Sequence, residues 1–122
     1  MDKSKILILG SKGQLGKALL AEYAGAIGVD RDSLDITDPQ AINSYDWSSV
    51  GIIINAAAYT DVDGAESPEG RRLAWQINAT AAGRLAKVAA AKDILLIGIS
   101  TDYVFDGSQD SHVEDEPLTP LG

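Results

Sequence analysis

The stretch Ile6-Leu7-Ile8-Leu9-Gly10-Ser11-Lys12-Gly13-Gln14-Leu15-Gly16 decides the fold. Its first residues form a continuous apolar run, as a strand buried on both faces reads. The run stops at Gly10, and glycine recurs at Gly13 and Gly16. From Gln14 to Tyr23, Leu15, Ala18, Leu19 and Leu20 fall on helical spacing. The segment therefore reads as a strand, a glycine-rich turn and a helix. In such a turn one glycine permits the bend and another lets backbone approach a pyrophosphate. The third lets the helix pack close to the strand. The helix start adds unpaired N–H groups and a partial positive charge. A turn with no ligand is the plainer alternative, but all the context that a dinucleotide fingerprint requires is present.

Working outward, short apolar runs alternate with helical stretches. Ala26-Ile27-Gly28-Val29 reads as a second, weaker strand ending at Asp30. Asp38-Pro39 opens a second helix, with Asp as N-cap and Pro in the first turn. Ile52-Ile53-Ile54 is a third strand, ending at Asn55. One long helix is expected from about Pro68 to Ala91, with Ala74, Ile77, Ala81, Leu85 and Val88 as its buried stripe. Ile94 to Ile99 is a fourth strand, ending at Ser100-Thr101, and the acidic tail from Gly107 to Gly122 reads as loop. The order β-α-β-α-β-α-β implies an α/β fold: a Rossmann-type, three-layer parallel sheet with helices on both faces. The expected domain is a single NAD(P)-binding unit over residues 1–122.

Ligands of such sheets sit at the carboxyl ends of the strands. The first end is the Gly10–Gly16 loop. The second is Asp30, twenty residues beyond Gly10, where a carboxylate accepts from ribose hydroxyls and favours NAD. Arg31 follows at once, and an arginine there suits the 2′-phosphate of NADP. The two signals conflict, so both cofactors stay open. The third end, Asn55-Ala56-Ala57-Ala58-Tyr59-Thr60-Asp61, has small side chains that let a ligand lie on backbone. The fourth, Ser100-Thr101-Asp102-Tyr103-Val104-Phe105-Asp106-Gly107, carries hydroxyls that can polarise a carbonyl or simply end a strand.

Bulk properties exclude other classes. The chain has 122 residues, a net charge of −8 and no cysteine. A thiol nucleophile, a disulfide scaffold and a zinc–thiolate site are therefore ruled out. Scattered basic residues argue against nucleic acid as a partner. No apolar run is long enough for a membrane span, and the apolar stretch after Lys5 is too short for a signal peptide. A cytoplasmic location is the default. His112 is expected on a surface loop, Asp61, Asp63 and Glu66 in a solvated capping loop, and Trp47 and Trp75 as packing residues. Asn78 reads as a brace for adjacent loops or as a plain exposed helix position.

The residues resemble the extended short-chain dehydrogenase/reductases, and within them the dTDP-4-dehydrorhamnose reductase group. The resemblance rests on Gly10-x-x-Gly13-Gln14-Leu15-Gly16, Asp35-Ile36-Thr37-Asp38, Asn55-Ala56-Ala57-Ala58-Tyr59-Thr60-Asp61-Val62-Asp63-x-Ala65-Glu66, Ile77-Asn78-Ala79, Ser100-Thr101-Asp102-Tyr103-Val104-Phe105-x-Gly107, and Glu114-x-x-Pro117-x-x-Pro120-Leu121. It implies reduction of the 4-keto group of dTDP-6-deoxy-L-lyxo-4-hexulose to dTDP-L-rhamnose, with hydride from NADPH or NADH. It further implies Gly10, Gly13, Gln14, Leu15 and Gly16 at the pyrophosphate, Asp30 and Arg31 near the adenosine ribose, and Asp35 and Ile36 near the adenine. Ala56, Ala57, Ala58 and Tyr59 would line the cofactor. Thr101 would be the catalytic hydroxyl on the keto oxygen. Asp102, Tyr103 and Val104 would border the nucleotide sugar.

The family's proton donor is the tyrosine of a Tyr-x-x-x-Lys motif, which this sequence does not contain: Tyr23, Tyr45, Tyr59 and Tyr103 each lack a lysine four residues on. The chain thus looks like the N-terminal part of a reductase, and it is expected to be catalytically silent alone, since loss of a general acid costs about 10²–10⁴ in rate. The strand Ile94–Ile99 is expected to be an open apolar edge, which favours a homo-oligomer. Two other readings stand at this point: a related nucleotide-sugar epimerase or dehydratase, and a non-catalytic regulatory subunit of the same fold.

Overall fold

The structure, a computed structural model, describes residues 3–61 and 63–121; the side chain of Asp102 also lies outside the described residues, as does Val62. The strands are β1 (Lys5–Leu9), β2 (Ile27–Val29), β3 (Val50–Asn55) and β4 (Leu95–Gly98). The helices are α1 (Gln14–Glu22), α2 (Pro39–Ser44), α3 (Pro68–Trp75) and α4 (Ala81–Lys92). All strand pairs are parallel, in the order β2-β1-β3-β4. The alternating α/β order expected from the apolar runs is therefore the order found.

Right-handed crossovers sort the helices. The chain steps from β1 to β2 on one side and then to β3 and β4 on the other. This puts α1 on one face and α2 with α4, which touch each other, on the opposite face. Strand alternation supplies each face with side chains. Leu7, Leu9 and Ile53 point to the α2/α4 face, where Ile42, Trp47, Ala81, Leu85 and Ala89 complete a closed core. Trp47 is anchored by its Nε1–H, which donates to the Ile42 carbonyl at 2.9 Å, and Tyr45 meets it edge-on at 4.8 Å. Ile8 and Ile54 point to the α1 face and are also buried.

Three expectations are corrected. The sheet is not covered on both faces along its whole width. Leu95, Ile97 and Ile99 are 59%, 41% and 60% exposed, because α1 packs on β1 and β2 and no described helix lies over β4 on that side. Nor is the third helix regular along its length, although it runs unbroken from Pro68 to Lys92 as expected. A π-turn over Gln76–Thr80 joins α3 to α4. Trp75 does not pack in the interior: it is 69% exposed. Its neighbour Ala74 occupies the inward stripe, and adjacent helical residues point about 100° apart.

The second helix begins as its sequence requires. The Asp38 side chain accepts from Gln40 N at 3.0 Å, and Pro39 follows in the first turn, where its missing N–H costs nothing. The tail beyond Gly107 is loop, but it is tied down. Thr119 N donates to the Val104 carbonyl at 2.8 Å, and the His112 ring stacks on Phe105 at 3.7 Å while contacting Glu116 at 2.7 Å.

Candidate functional site: a crevice at the strand ends

Connections from β1 and β3 leave the sheet in opposite directions, so a crevice opens between their carboxyl ends. Gly10 stands on one side of it, at φ +74°, where a side chain would be strained. A Cβ on Gly10 would also lie 2.7 Å from the Ala56 carbonyl and from Ala57 N. The two loops therefore meet backbone to backbone. Gly16 serves the other side of the turn: a Cβ there would run into the Gly10 carbonyl, so α1 can approach β1 only with glycine at this position. Ser11 N donates to the Val29 carbonyl at 3.1 Å, and Ala56 N to the Leu9 carbonyl at 3.1 Å. The glycine loop is thus stitched to both neighbouring strand ends.

Gly13 is the N-cap of α1 and offers no capping side chain. It sits at φ −77°, ψ 171°, with Gly13 N donating to the Gly10 carbonyl at 3.1 Å. Gln14, Leu15 and Gly16 form the first turn, whose N–H groups have no earlier helical carbonyl to meet. Leu15 is half-exposed there, so the turn faces outward.

Next along the sheet, Asp30 ends β2. One carboxylate oxygen accepts from Asp32 N at 3.0 Å, Ser33 N at 3.2 Å and Ser33 Oγ at 3.0 Å. The other meets Lys12 Nζ at 2.7 Å. Lys12, first of all, and then Ser33 hold the Asp30 carboxyl down at a pKa of about 2, and the same pairing raises the Lys12 ammonium above its ordinary value. A depressed carboxylate favours the fold above the ordinary carboxylate range and loses that contribution as pH falls toward about 2. Arg31 does not turn to Asp30; its Nε lies 3.8 Å from Asp35. Asp35 in turn accepts from Thr37 N at 3.0 Å and Thr37 Oγ1 at 2.6 Å, and chiefly this hydroxyl lowers its pKa. Arg84 on α4 fixes the same turn by donating to the Thr37 carbonyl at 3.1 Å. Ile36 is buried in the core beneath it.

Beyond β3, Asn55 Oδ1 accepts from Ala57 N at 3.2 Å, and Ala57 packs on the core while Ala58 is exposed. Asn78 clamps the next residue. Its Oδ1 accepts from Tyr59 N at 2.8 Å and its Nδ2 donates to the Tyr59 carbonyl at 3.1 Å. Asn78 lies within the π-turn, so the irregular helix presents an amide to the loop. Of its two sequence readings, the brace is the one found. Asp61 Oδ1 accepts from Gly64 N at 2.9 Å, the capping role expected of that loop.

At the end of β4, Thr101 Oγ1 accepts from Tyr103 N at 3.2 Å, and Val104 N donates to the Thr101 carbonyl at 3.3 Å. This short turn, Asp102–Val104, leaves Tyr103 exposed and Val104 half-buried. The Thr101 hydroxyl accepts from the backbone and retains its own proton for donation. Across the sheet the four ends follow one another as Asp30, Gly10, Asn55 and Thr101. Lys12 and Arg84 are the residues that sequence reasoning missed. Each acts on a partner far along the chain, and no spacing rule links them.

Residues 4–122 match the family described as RmlD substrate binding domain. A dTDP-4-dehydrorhamnose reductase of Mycobacterium tuberculosis is 43% identical over 107 residues, which cover 84% of this chain and 34% of that protein. The crystal structure of a dTDP-4-dehydrorhamnose reductase from Clostridium acetobutylicum superimposes with a TM-score of 0.86 at 38% identity, over 95% of this chain and 43% of that one. A short-chain dehydrogenase/reductase superfamily protein from Agrobacterium tumefaciens, solved with bound NAD, shares the fold at a TM-score of 0.74 and 21% identity, over 97% of this chain and 40% of that one. The chain spans about a third of the length of the first of these relatives. With the model of the family matched over nearly every residue, the chain belongs to the RmlD substrate binding domain family, and its relatives include dTDP-4-dehydrorhamnose reductases.

Proposed function

We propose that this chain is the cofactor-holding part of an NAD(P)H-dependent reductase that acts on a 4-keto nucleotide sugar in dTDP-L-rhamnose synthesis. The observation that carries the reading is the backbone-to-backbone approach of Gly10 and Ala56 beside the uncapped start of α1. A Cβ on Gly10 would force the two loops apart, and the free N–H groups at the start of α1 suit phosphate oxygens. The names of the relatives supply the reaction class.

In this reading Gly10, Gly13, Gln14, Leu15 and Gly16 hold the pyrophosphate. Asp30 and Arg31 face the adenosine ribose, and Asp35 and Ile36 border the adenine, their turn held by Arg84. Ala56, Ala57, Ala58 and Tyr59 line the nicotinamide half, with Asn78 fixing the Tyr59 backbone. The cofactor, NADH or NADPH, would supply the hydride when bound. The Thr101 hydroxyl donates a hydrogen bond to the keto oxygen of the sugar and so favours charge building there. Asp102, Tyr103 and Val104 flank that sugar. The acid that protonates the new alcohol is not among the tyrosines of this sequence in a Tyr-x-x-x-Lys setting. The reading therefore assigns cofactor binding to this chain. It places the chain in the cytoplasm as a homo-oligomer, with the open edge of β4 paired to another strand.

Calorimetric titration of the chain with NADH and with NADPH tests this. Saturable one-to-one binding of at least one of them is expected, and light scattering on the same samples is expected to give more than a monomer mass. Absence of binding to both at millimolar concentration overturns the cofactor assignment.

A further inference from the structure

The acidic segment 107–121 folds back on the turn that ends β4. Thr119 N donates to the Val104 carbonyl at 2.8 Å. Next to Val104, the Phe105 ring carries the His112 ring in a parallel stack, with centroids 3.7 Å apart and planes 3° from one another. His112 Nδ1 lies 2.7 Å from Glu116 Oε2, and the other oxygen of that carboxylate accepts from Val113 N at 3.0 Å. Glu116 N donates to the Val113 carbonyl at 3.3 Å, so the turn itself places the carboxylate against the ring. Both side chains are sheltered, at 24% and 19% exposure, and solvent screens such a pair less than an open surface pair. The carboxylates facing His112 are Glu116, from its own segment, and Asp106, beside Phe105. His112 is the only histidine of the chain, and histidine changes charge between about pH 5 and 8.

We propose that His112 is a pH-sensitive clasp: its protonated ring, held by Phe105 and Glu116, pins the segment 107–121 onto the turn at the end of β4, and loss of the proton loosens it. A cationic ring is attracted by the aromatic face of Phe105 and by the two carboxylates. A neutral ring with its proton on Nδ1 still donates to Glu116, but the bond has lost its charge and is weaker. The clasped form therefore favours the proton. Its contribution is complete in acid and is lost as pH rises through the histidine range. Glu116 is held below the usual carboxylate value chiefly by His112, and Asp106 chiefly by the Ser108 hydroxyl, so both keep their charge throughout that range. The pinned turn is the one that carries Thr101 and Tyr103: Thr101 accepts from Tyr103 N and Val104 N. The state of the clasp thus reaches the fourth strand end through Val104 and Phe105. The clasp does not depend on the cofactor assignment.

The test follows the Thr119 amide by NMR in the 122-residue chain, from about pH 5.5 to about pH 8. Its exchange with water is divided by that of an unstructured peptide of the same sequence, which removes the intrinsic pH dependence of exchange. Protection is expected to fall about threefold across this range, in step with the titration of the His112 ring protons. His112→Phe keeps a ring on Phe105 and removes the titrating group, so its protection is expected to stay level with pH. Glu116→Gln keeps an acceptor for Val113 N and loses the charge, and about half of the response is expected to go with it. Protection in the parent that stays level or rises with pH overturns the clasp. So does the same fall in His112→Phe, or an undiminished fall in Glu116→Gln. The amides of Leu7 and Ile53, in the buried strands β1 and β3, are expected to keep equal protection in all three chains, which marks the changes as local. The parent profile decides the matter even where a variant folds poorly.

Discussion

Helices α1 and α3 begin in opposite ways. Helix α3 starts at Ser67, whose hydroxyl oxygen accepts from Gly70 N at 3.0 Å while its O–H donates to the Gly64 carbonyl at 2.8 Å. Helix α2 is finished in the same manner by Asp38. Helix α1 starts at Gly13, with nothing to accept from its first turn. A glycine at a helix start costs a few tenths of a kcal/mol relative to a good cap. The two capped starts serve the fold, and their donors are satisfied locally. The open start lies at the crevice between β1 and β3, where a phosphate can complete it. The difference separates residues that hold the structure together from residues kept incomplete for a ligand.

The largest effect that sharpens this comparison comes from Gly16→Val. The added carbons would be forced into the Gly10 carbonyl, which is backbone and cannot move aside alone. Helix α1 must then lift from β1. Loss of about 3 kcal/mol or more is expected in urea unfolding, together with loss of cofactor binding. Near-parental stability would show that α1 does not depend on this close approach.

Gly13→Asp breaks the comparison more selectively. At φ −77° and ψ 171° the position accepts any residue, and a Cβ would lie 3.4 Å from the Gly10 carbonyl, an ordinary contact. The carboxylate would cap α1 as Asp38 caps α2, so stability is expected to rise by a few tenths of a kcal/mol. The same charge would sit where the pyrophosphate is proposed to bind. Affinity for NADH and NADPH is expected to fall about tenfold. A variant that is more stable yet binds as before would remove the phosphate from the start of α1.

The same contrast explains what was legible in the sequence. The open start was, because a glycine turn between an apolar run and a helix carries its own signature. So was the Asp38-Pro39 start, since cap chemistry is local. The π-turn at Gln76–Thr80 was not. The stripe Ala74, Ile77, Ala81, Leu85 and Val88 keeps steps of three and four through it, so periodicity reads one helix. What the π-turn does is tertiary: it aims Asn78 at Tyr59, nineteen residues away. Lys12 and Asp30 are likewise eighteen positions apart, and only the sheet order brings the two loops together. The adjacent Arg31 drew attention as the cation for a phosphate, yet it pairs with Asp35, four residues further on. The exposure of Leu95, Ile97 and Ile99 was legible as an open edge but not as an open face, because an apolar run does not say which helix will cover it.

The smallest effect is expected from Ser67→Ala, and it is the control on which the comparison depends. Removing the hydroxyl leaves Gly70 N without its acceptor and frees the turn that leads into α3. About 1 kcal/mol of stability is expected to be lost, seen as a lower urea midpoint with an unchanged slope. Ser67 is in the segment that follows the Asn55–Asp61 loop, and Asn78, further along the same helical stretch, holds Tyr59 independently of it. Cofactor affinity should therefore stay within twofold of the parent. If Ser67→Ala weakened cofactor binding as much as Gly13→Asp, the two helix starts would be coupled through the Asn55–Asp61 loop. The division between a cap that serves stability and an open start that serves a ligand would then fail.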